Sequence, residues 1–369
     1  MKPRRPDLVL LFVVLALLSV GLVMVFSATP SVAMRFGDVY YHVKRQVFFL
    51  LLSFLAMYLA YHINLETLKK WTPAIFLFSF GALLLVLLPG IGKKVSGATR
   101  WIDLFIFSFQ PSEFAKLGLV LFLSLTLSNL KERVANFRQG VLPVMLISLM
   151  VLAVVMLEPD LGTALIIAAM VFMLLFVAGA SLWQLGGLFL LGASGVAVLS
   201  VTSAYRLRRL VGYLDPWKDP LNVGFQVIQS LLAVGSGGLL GLGIGCSKQK
   251  FYYLPQQYTD FIFAVLCEET GLLGAVFVLT LFFVFAARGL RLARRVSDRY
   301  QSLLVCGIVA WITCQTLVNV FVVLGLLPAT GIPLPFVSYG GSSLLFSMFA
   351  VGLILNISAN LNQEAKRRA

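Results

Sequence analysis

The sequence predicts an all-α membrane protein: ten transmembrane helices, both termini cytoplasmic, and one large extracytoplasmic loop containing an interfacial helix. Three observations carry this. The 369 residues are 60% hydrophobic and 12% charged with a mean hydropathy of +0.95, which no water-soluble domain of that length sustains. Apolar runs recur near residues 8–27, 46–63, 73–90, 113–129, 141–157, 161–178, 183–202, 261–286, 302–327 and 338–358. With the N-terminus inside, the inner segments hold 16 Lys and Arg, including Lys2, Lys69, Lys131, Arg288 and Lys366, while the short outer loops hold 6, from Arg35 to Arg100. That bias orients the chain. Residues 1–369 therefore read as one polytopic membrane domain, with its large loop, 203–260, between helices 7 and 8 on the outside.

Lys2, Arg4 and Arg5 precede the first run as in a signal peptide, but the run is about 20 residues long and no cleavage pattern follows Ala28, so it counts as the first span. Inside the large loop, Gly224 to Gly235 sets Phe225, Ile228, Leu231 and Leu232 at helical spacing with Gln226, Gln229 and Ser230 opposite, the pattern of a helix in the membrane interface. The run from Ser236 to Gly245 is too rich in glycine for a stable helix, and no strand precedes it to make a nucleotide loop. The net charge of +14 lies in short clusters between apolar runs, which excludes a nucleic-acid-binding face. Cys246, Cys267, Cys306 and Cys314 lack paired spacing and read as small core residues. His42 and His62 have no partners at ligand spacing, so no metal site is predicted on them. Chemistry then falls to carboxylates and cations.

The most expensive carboxylate is Asp260, in Leu254-Pro-Gln-Gln-Tyr-Thr-Asp-Phe261, where the chain re-enters the bilayer. Earlier in the same loop stand Arg206, Arg208 and Arg209, suited either to forked contacts with phosphate or to lipid headgroups, and then Lys248 and Lys250. Three more polar clusters occupy positions where apolar residues would cost less. Pro111 suits a helix start, and Glu113 and Lys116 share one face after it, as a structural ion pair or as part of an interior site. Glu158-Pro-Asp-Leu-Gly162 is a turn with two carboxylates, Glu158 and Asp160, solvated or functional. Leu327 to Ser343 combines prolines with Gly340-Gly341 as an irregular re-entrant segment that carries Ser338, Ser342 and Ser343. Gln315 and Asn319, four apart in the ninth span, either join that site or hydrogen-bond between helices.

These residues resemble the SEDS proteins (shape, elongation, division and sporulation), the FtsW and RodA group of bacterial peptidoglycan polymerases. The matching residues are Phe109-Gln-Pro-Ser-Glu113, Glu158-Pro-Asp-Leu-Gly162, Gln226, Gln229-Ser230, Ser236-Gly-Gly238, Thr259-Asp-Phe-Ile-Phe-Ala264, Glu268-Glu269 with Gly271, and Leu334 to Ser343. Several motifs in one order over about residues 8 to 360 make the resemblance specific. It implies an enzyme of the bacterial cytoplasmic (inner) membrane that joins lipid II units on the outer face, with Asp260 at the essential loop aspartate. It also implies a class B penicillin-binding protein as a separate transpeptidase, since the chain shows no soluble periplasmic domain for cross-linking, and contacts with other division or elongation proteins and with membrane lipids. Cys246 to Pro255 looks closer to the division and sporulation branch of FtsW and SpoVE. The chain departs from the family at Gln256 and Tyr258, where Glu and His are common, leaving Asp260 as the single base of its motif.

Glycosyl transfer from an undecaprenyl-pyrophosphate donor needs a base for the acceptor hydroxyl and positive charge for the departing pyrophosphate. Asp260 suits the first; Arg206, Arg208, Arg209, Lys248, Lys250 or a divalent cation, magnesium or manganese, suits the second. No other cofactor is implied. Substrate contacts are assigned to these cations and to Glu113, Lys116, Asp160, Gln226, Gln229, Ser338, Ser342 and Ser343. A lipid II flippase would also use intramembrane polar residues, but here they gather at the outer face. A non-catalytic division scaffold would not explain the cost of Asp260.

Overall fold

The computed structural model describes residues 5–34, 37–95, 98–103, 108–202, 213–222, 224–251 and 254–368. Long helices stand at all ten predicted positions: α1 (Leu8–Ala28), α2 (Tyr41–His62), α3 (Leu65–Leu85), α4 (Pro111–Leu130), α5 (Leu142–Leu157), α6 (Leu161–Ala178) and α7 (Leu182–Thr202), then, after a shorter α8 (Phe225–Ser236), α9 (Ile262–Arg295), α10 (Arg299–Val323) and α11 (Gly341–Arg368). Nine of the described helices are long and apolar enough to cross a membrane. The tenth, α7, has 21 residues at the seventh predicted position.

Local chemistry starts these helices. Asp7, Asn64, Asp160 and Asp298 each cap a helix by accepting from backbone N–H groups of the first turn. Pro111 opens α4, where its missing N–H costs nothing. Side chains such as Phe12, Phe78 and Trp183 stay exposed, as suits helices whose solvent is lipid. The centre belongs to α10, which packs on α4, α6, α9 and α11 with Trp311 fully buried. Both termini meet at one end of the bundle: Ser358 accepts from the Asp7 N–H at 3.0 Å, and Asn362 donates to the Arg5 carbonyl at 3.0 Å.

One element was not foreseen. Between α3 and α4 the chain forms a three-stranded antiparallel sheet, β1 (Gly92–Val95), β2 (Ala98–Asp103) and β3 (Ser108–Phe109), in the order β1-β2-β3. Thr99, Trp101 and Ile102 favour a strand, and Ile102 pairs with both Gly92 and Phe109. A sheet this short, carried on a loop, leaves the all-α class intact.

The glycine-rich run has a specific task. α9 breaks at Gly271 (φ 67°), and the run crosses the break: Leu242 and Gly243 donate to the Glu268 and Glu269 carbonyls at 3.0 Å, while Leu272 and Leu273 donate to the Gly238 and Leu239 carbonyls. The backbone groups freed by the break are thereby satisfied inside the protein. A Cβ on Gly237 would lie 2.0 Å from the Cys267 oxygen, so only glycine permits that approach.

α8 keeps its helical form, with Leu231 and Leu232 exposed on one side and Ser230 turned into the protein on another. Ser230, expected opposite the apolar side, is buried and donates to the Val323 carbonyl at 2.7 Å. Val323 ends α10, so its carbonyl lacks a helical partner, and Ser230 supplies one.

Candidate functional site

The turn carrying Asp260 is gripped through its main chain. Three consecutive carbonyls each accept a hydrogen bond from outside the turn: Tyr258 from the Tyr339 N–H at 3.0 Å, Thr259 from Ser338 Oγ at 2.6 Å, and Asp260 from Asn319 Nδ2 at 2.7 Å. Gln257 donates to the Ala28 carbonyl and to Ser31 Oγ at the end of α1. Within the turn Gln256 adopts φ 55° while its carbonyl accepts from the Thr259 and Phe261 N–H groups. A non-glycine residue there stores about 1–3 kcal/mol of strain, which the surrounding bonds must hold.

So fixed, the half-buried Asp260 faces the backbone of the re-entrant segment, for a Cβ on Gly331 would lie 3.7 Å from its Oδ2. Beside it the Tyr258 ring packs on His42 at 4.9 Å and on Tyr339 at 5.7 Å. Burial, and then the charge of Asp260, raise the Tyr258 phenol above its ordinary value, keeping it protonated.

The α5–α6 turn meets the same segment, because Gly162 lies against the Thr330 carbonyl and Ile332 so closely that a Cβ would not fit. Glu158 and Asp160 are both buried there, so the solvated-turn reading fails. Asp160 accepts from the N–H and hydroxyl of Thr163 at 3.0 and 2.9 Å. Arg100 of β2 closes the turn from outside: its guanidinium donates to the Glu158 and Pro159 carbonyls and lies 3.6 Å from Asp160 Oδ2. The Glu158 carboxyl has no hydrogen-bond partner among the described residues. Burial, then the charge of Asp160, raise it to about 9 against the opposing pull of Arg100, so at neutral pH it is an uncharged acid.

Glu113 and Lys116 pair at 2.8 Å with both side chains buried, well inside the bundle. Lys116 also donates to Gln315 Oε1 at 2.8 Å and lies 4.9 Å from the centre of the Trp311 ring. Gln315 Nε2 donates to the Pro333 carbonyl at 3.0 Å, joining the pair to the re-entrant segment.

The predicted residues thus divide. Asp260, Ser338 and Asp160 gather around the re-entrant segment, and Glu113 and Lys116 reach it through Gln315. Ser342 accepts from the Gln110 N–H at 3.2 Å and donates to the Ser108 carbonyl, bracing α11 against β3, with Ser343 buried beside it. Gln226 and Gln229 are half-buried on α8. Lys248 is exposed, and its N–H donates to Glu268 Oε1 at 2.9 Å. Lys250 goes elsewhere: it is buried against Glu269 and Ser27, so the structure turns inward a lysine expected to face substrate. Arg206, Arg208 and Arg209 lie outside the described residues. Sequence reasoning undervalued Arg100, counted only among the cations of the short outer loops, and the Glu268-Glu269 pair, whose signal was two adjacent carboxylates in an apolar span.

Polar groups held this tightly at one region of an apolar bundle define the class: a multi-pass membrane protein with a built site on its re-entrant segment. Within that class the chain belongs to the FtsW, RodA and SpoVE family, described as cell cycle proteins, whose model matches residues 8–363. It is 43% identical to stage V sporulation protein E of Bacillus subtilis (strain 168) over 358 residues, covering 97% of this chain and 98% of that protein. It is 41% identical over 360 residues to a probable peptidoglycan glycosyltransferase FtsW of Geobacter sp. (strain M18), covering 97% and 98%. Among solved structures, a chain from a peptidoglycan synthase complex that coordinates polymerization and crosslinking superposes with a TM-score of 0.80 at 33% identity, covering 97% and 99%. RodA of Thermus thermophilus superposes with a TM-score of 0.72 at 31% identity, covering 96% of each chain.

Proposed function

We propose that this protein is a peptidoglycan glycosyltransferase that polymerises lipid II into glycan strands on the outer face of the bacterial cytoplasmic membrane, with Asp260 as its base. One observation carries the reading: the three carbonyls of residues 258–260 are each held from outside the turn, so a membrane-boundary carboxylate is presented in one orientation. Relatives named for peptidoglycan glycosyl transfer, and a solved neighbour from a synthase complex, support the same chemistry.

In this reading Asp260 accepts the proton of the acceptor sugar hydroxyl as its oxygen attacks the anomeric carbon of the donor. The bond from that carbon to the pyrophosphate oxygen breaks, and undecaprenyl pyrophosphate leaves with the electron pair. Arg206, Arg208, Arg209 and Lys248 are assigned to the pyrophosphate and headgroup charge. Among the described residues no group of three His, Cys, Asp or Glu converges on one point, so a magnesium or manganese ion would rest chiefly on the pyrophosphate oxygens and would supply the same positive charge. The termini-bearing face is assigned to the cytoplasm by its excess of Lys and Arg. The partner assigned is a class B penicillin-binding protein, which would cross-link the strands made here.

The test is polymerisation of lipid II by purified protein, alone and with that partner. Asp260→Asn is expected to fold, to bind lipid II and to make no glycan. Undiminished polymerisation by that variant overturns the assignment, and lipid transfer across a bilayer without glycan synthesis favours a flippase instead.

A further inference from the structure

Building on the assignment of Asp260 as the base, we propose that Asn319 is a positioning residue for Asp260 and that Gln315 links it to the buried Lys116. Trp311, Gln315 and Asn319 are four apart in α10 and so share one face. On a buried helix at membrane depth, apolar side chains would fill that face at lower cost. All three polar groups are instead engaged, in one continuous series.

Asn319 Nδ2 donates to the Asp260 carbonyl and to the Ile332 carbonyl, both at 2.7 Å. Both partners are acceptors, so the amide orientation is forced, and both of its hydrogens are used. Its Oδ1 has no hydrogen-bond partner among the described residues, so the side chain is buried at a cost that only the two donated bonds offset. Those bonds join the two backbone segments that meet near the carboxylate, since a Cβ on Gly331, beside Ile332, would lie 3.7 Å from Asp260 Oδ2. One amide therefore sets both the residue that carries the base and the surface the base looks onto.

One turn earlier Gln315 repeats the arrangement: Nε2 donates to the Pro333 carbonyl, while Oε1 accepts from Lys116 Nζ at 2.8 Å and Trp311 Nε1 at 2.9 Å. The lysine charge polarises the amide and strengthens its donated bond. Lys116 thus acts on the site through Gln315 and the Ile332-Pro333 backbone.

The experiment measures lipid II polymerisation by full-length protein together with lipid II binding and thermal unfolding in the same detergent. Asn319→Leu and Asn319→Asp both remove the donated hydrogens. Each is expected to lower kcat ~10- to 100-fold, the scale of a displaced catalytic group, with KM and binding within about threefold of the parent. Gln315→Leu is expected to lower kcat less, and adding Lys116→Met and Glu113→Leu together, so that no buried charge is left alone, to cost little more, because Gln315 and Lys116 act in series. Parent-like kcat in both Asn319→Leu and Gln315→Leu overturns the proposal. So does an Asn319 pair that loses binding and thermal stability in step with kcat, which is the mark of a purely structural role. Asp260→Asn runs alongside: activity in that variant overturns the base assignment, whereas an inactive Asp260→Asn with active Asn319 and Gln315 variants overturns only the positioning.

Discussion

Lys250 Nζ lies 2.9 Å from Glu269 Oε1, and Ser27 of α1 bonds to both, with none of the three open to solvent. The pair ties the large loop to α1 and to the broken helix α9. Removing one partner leaves an uncompensated buried charge. Lys250→Met is therefore expected to destabilise the fold by about 3–5 kcal/mol, and Lys250→Met with Glu269→Leu by much less. Thermal unfolding of the purified variants in detergent decides it; a single variant as stable as the parent contradicts the role.

The glycines of α8 and α9 on either side of the glycine-rich run are expected to tolerate substitution unevenly. Gly271→Ala forces a side chain into φ 67° and places its Cβ 2.4 Å from the Gly241 nitrogen, so the cost is on the order of 3 kcal/mol and yield falls. Gly235→Ala, in open space within α8, is expected to be neutral or to stabilise by about 0.5–1 kcal/mol. Parallel expression and unfolding measurements compare them.

Glu158 makes stability depend on pH in a stated direction. Folded, its carboxyl keeps its proton to about 9; unfolded, it releases it near 4.5. The stability it contributes is complete below pH 4.5 and is lost as pH rises toward 9. The melting temperature is expected to fall across that window, and Glu158→Gln, neutral throughout, to fall less. Identical pH profiles for the two proteins count against a raised value.

Ser230→Ala removes the donor to the Val323 carbonyl and is expected to cost about 1–3 kcal/mol, because a buried acceptor is left without its partner. Ser236→Ala is the control, since Ser236 only donates back to the Ala233 carbonyl within its own turn. Comparable losses in the two variants would remove the significance given to the Ser230 bond.

Helix positions were legible because a span must satisfy its backbone internally, which demands long apolar runs and leaves a strong periodic trace. Asp260, Asp160 and Ser338 were legible because a polar group in such a chain is costly. What could not be read was direction. Lys250 and Lys248 are two residues apart in a loop, and only the place of Glu269 in the folded chain turns one inward and leaves the other exposed. Helical spacing set Ser230 opposite Leu231 and Leu232 but could not show what it meets there, because the orphan carbonyl that claims it belongs to α10. The sheet escaped notice because its strands are only 2 to 6 residues long.

The bond between Ser27 and Glu269 spans 242 positions of sequence. During synthesis the first span is made long before α9, so its serine has no Glu269 to bond. The Ser27, Lys250 and Glu269 knot therefore cannot close until α9 has been made. A nascent chain released before residue 262 holds Asp260 itself but none of Asn319, Ser338 and Tyr339, whose hydrogen bonds fix its turn.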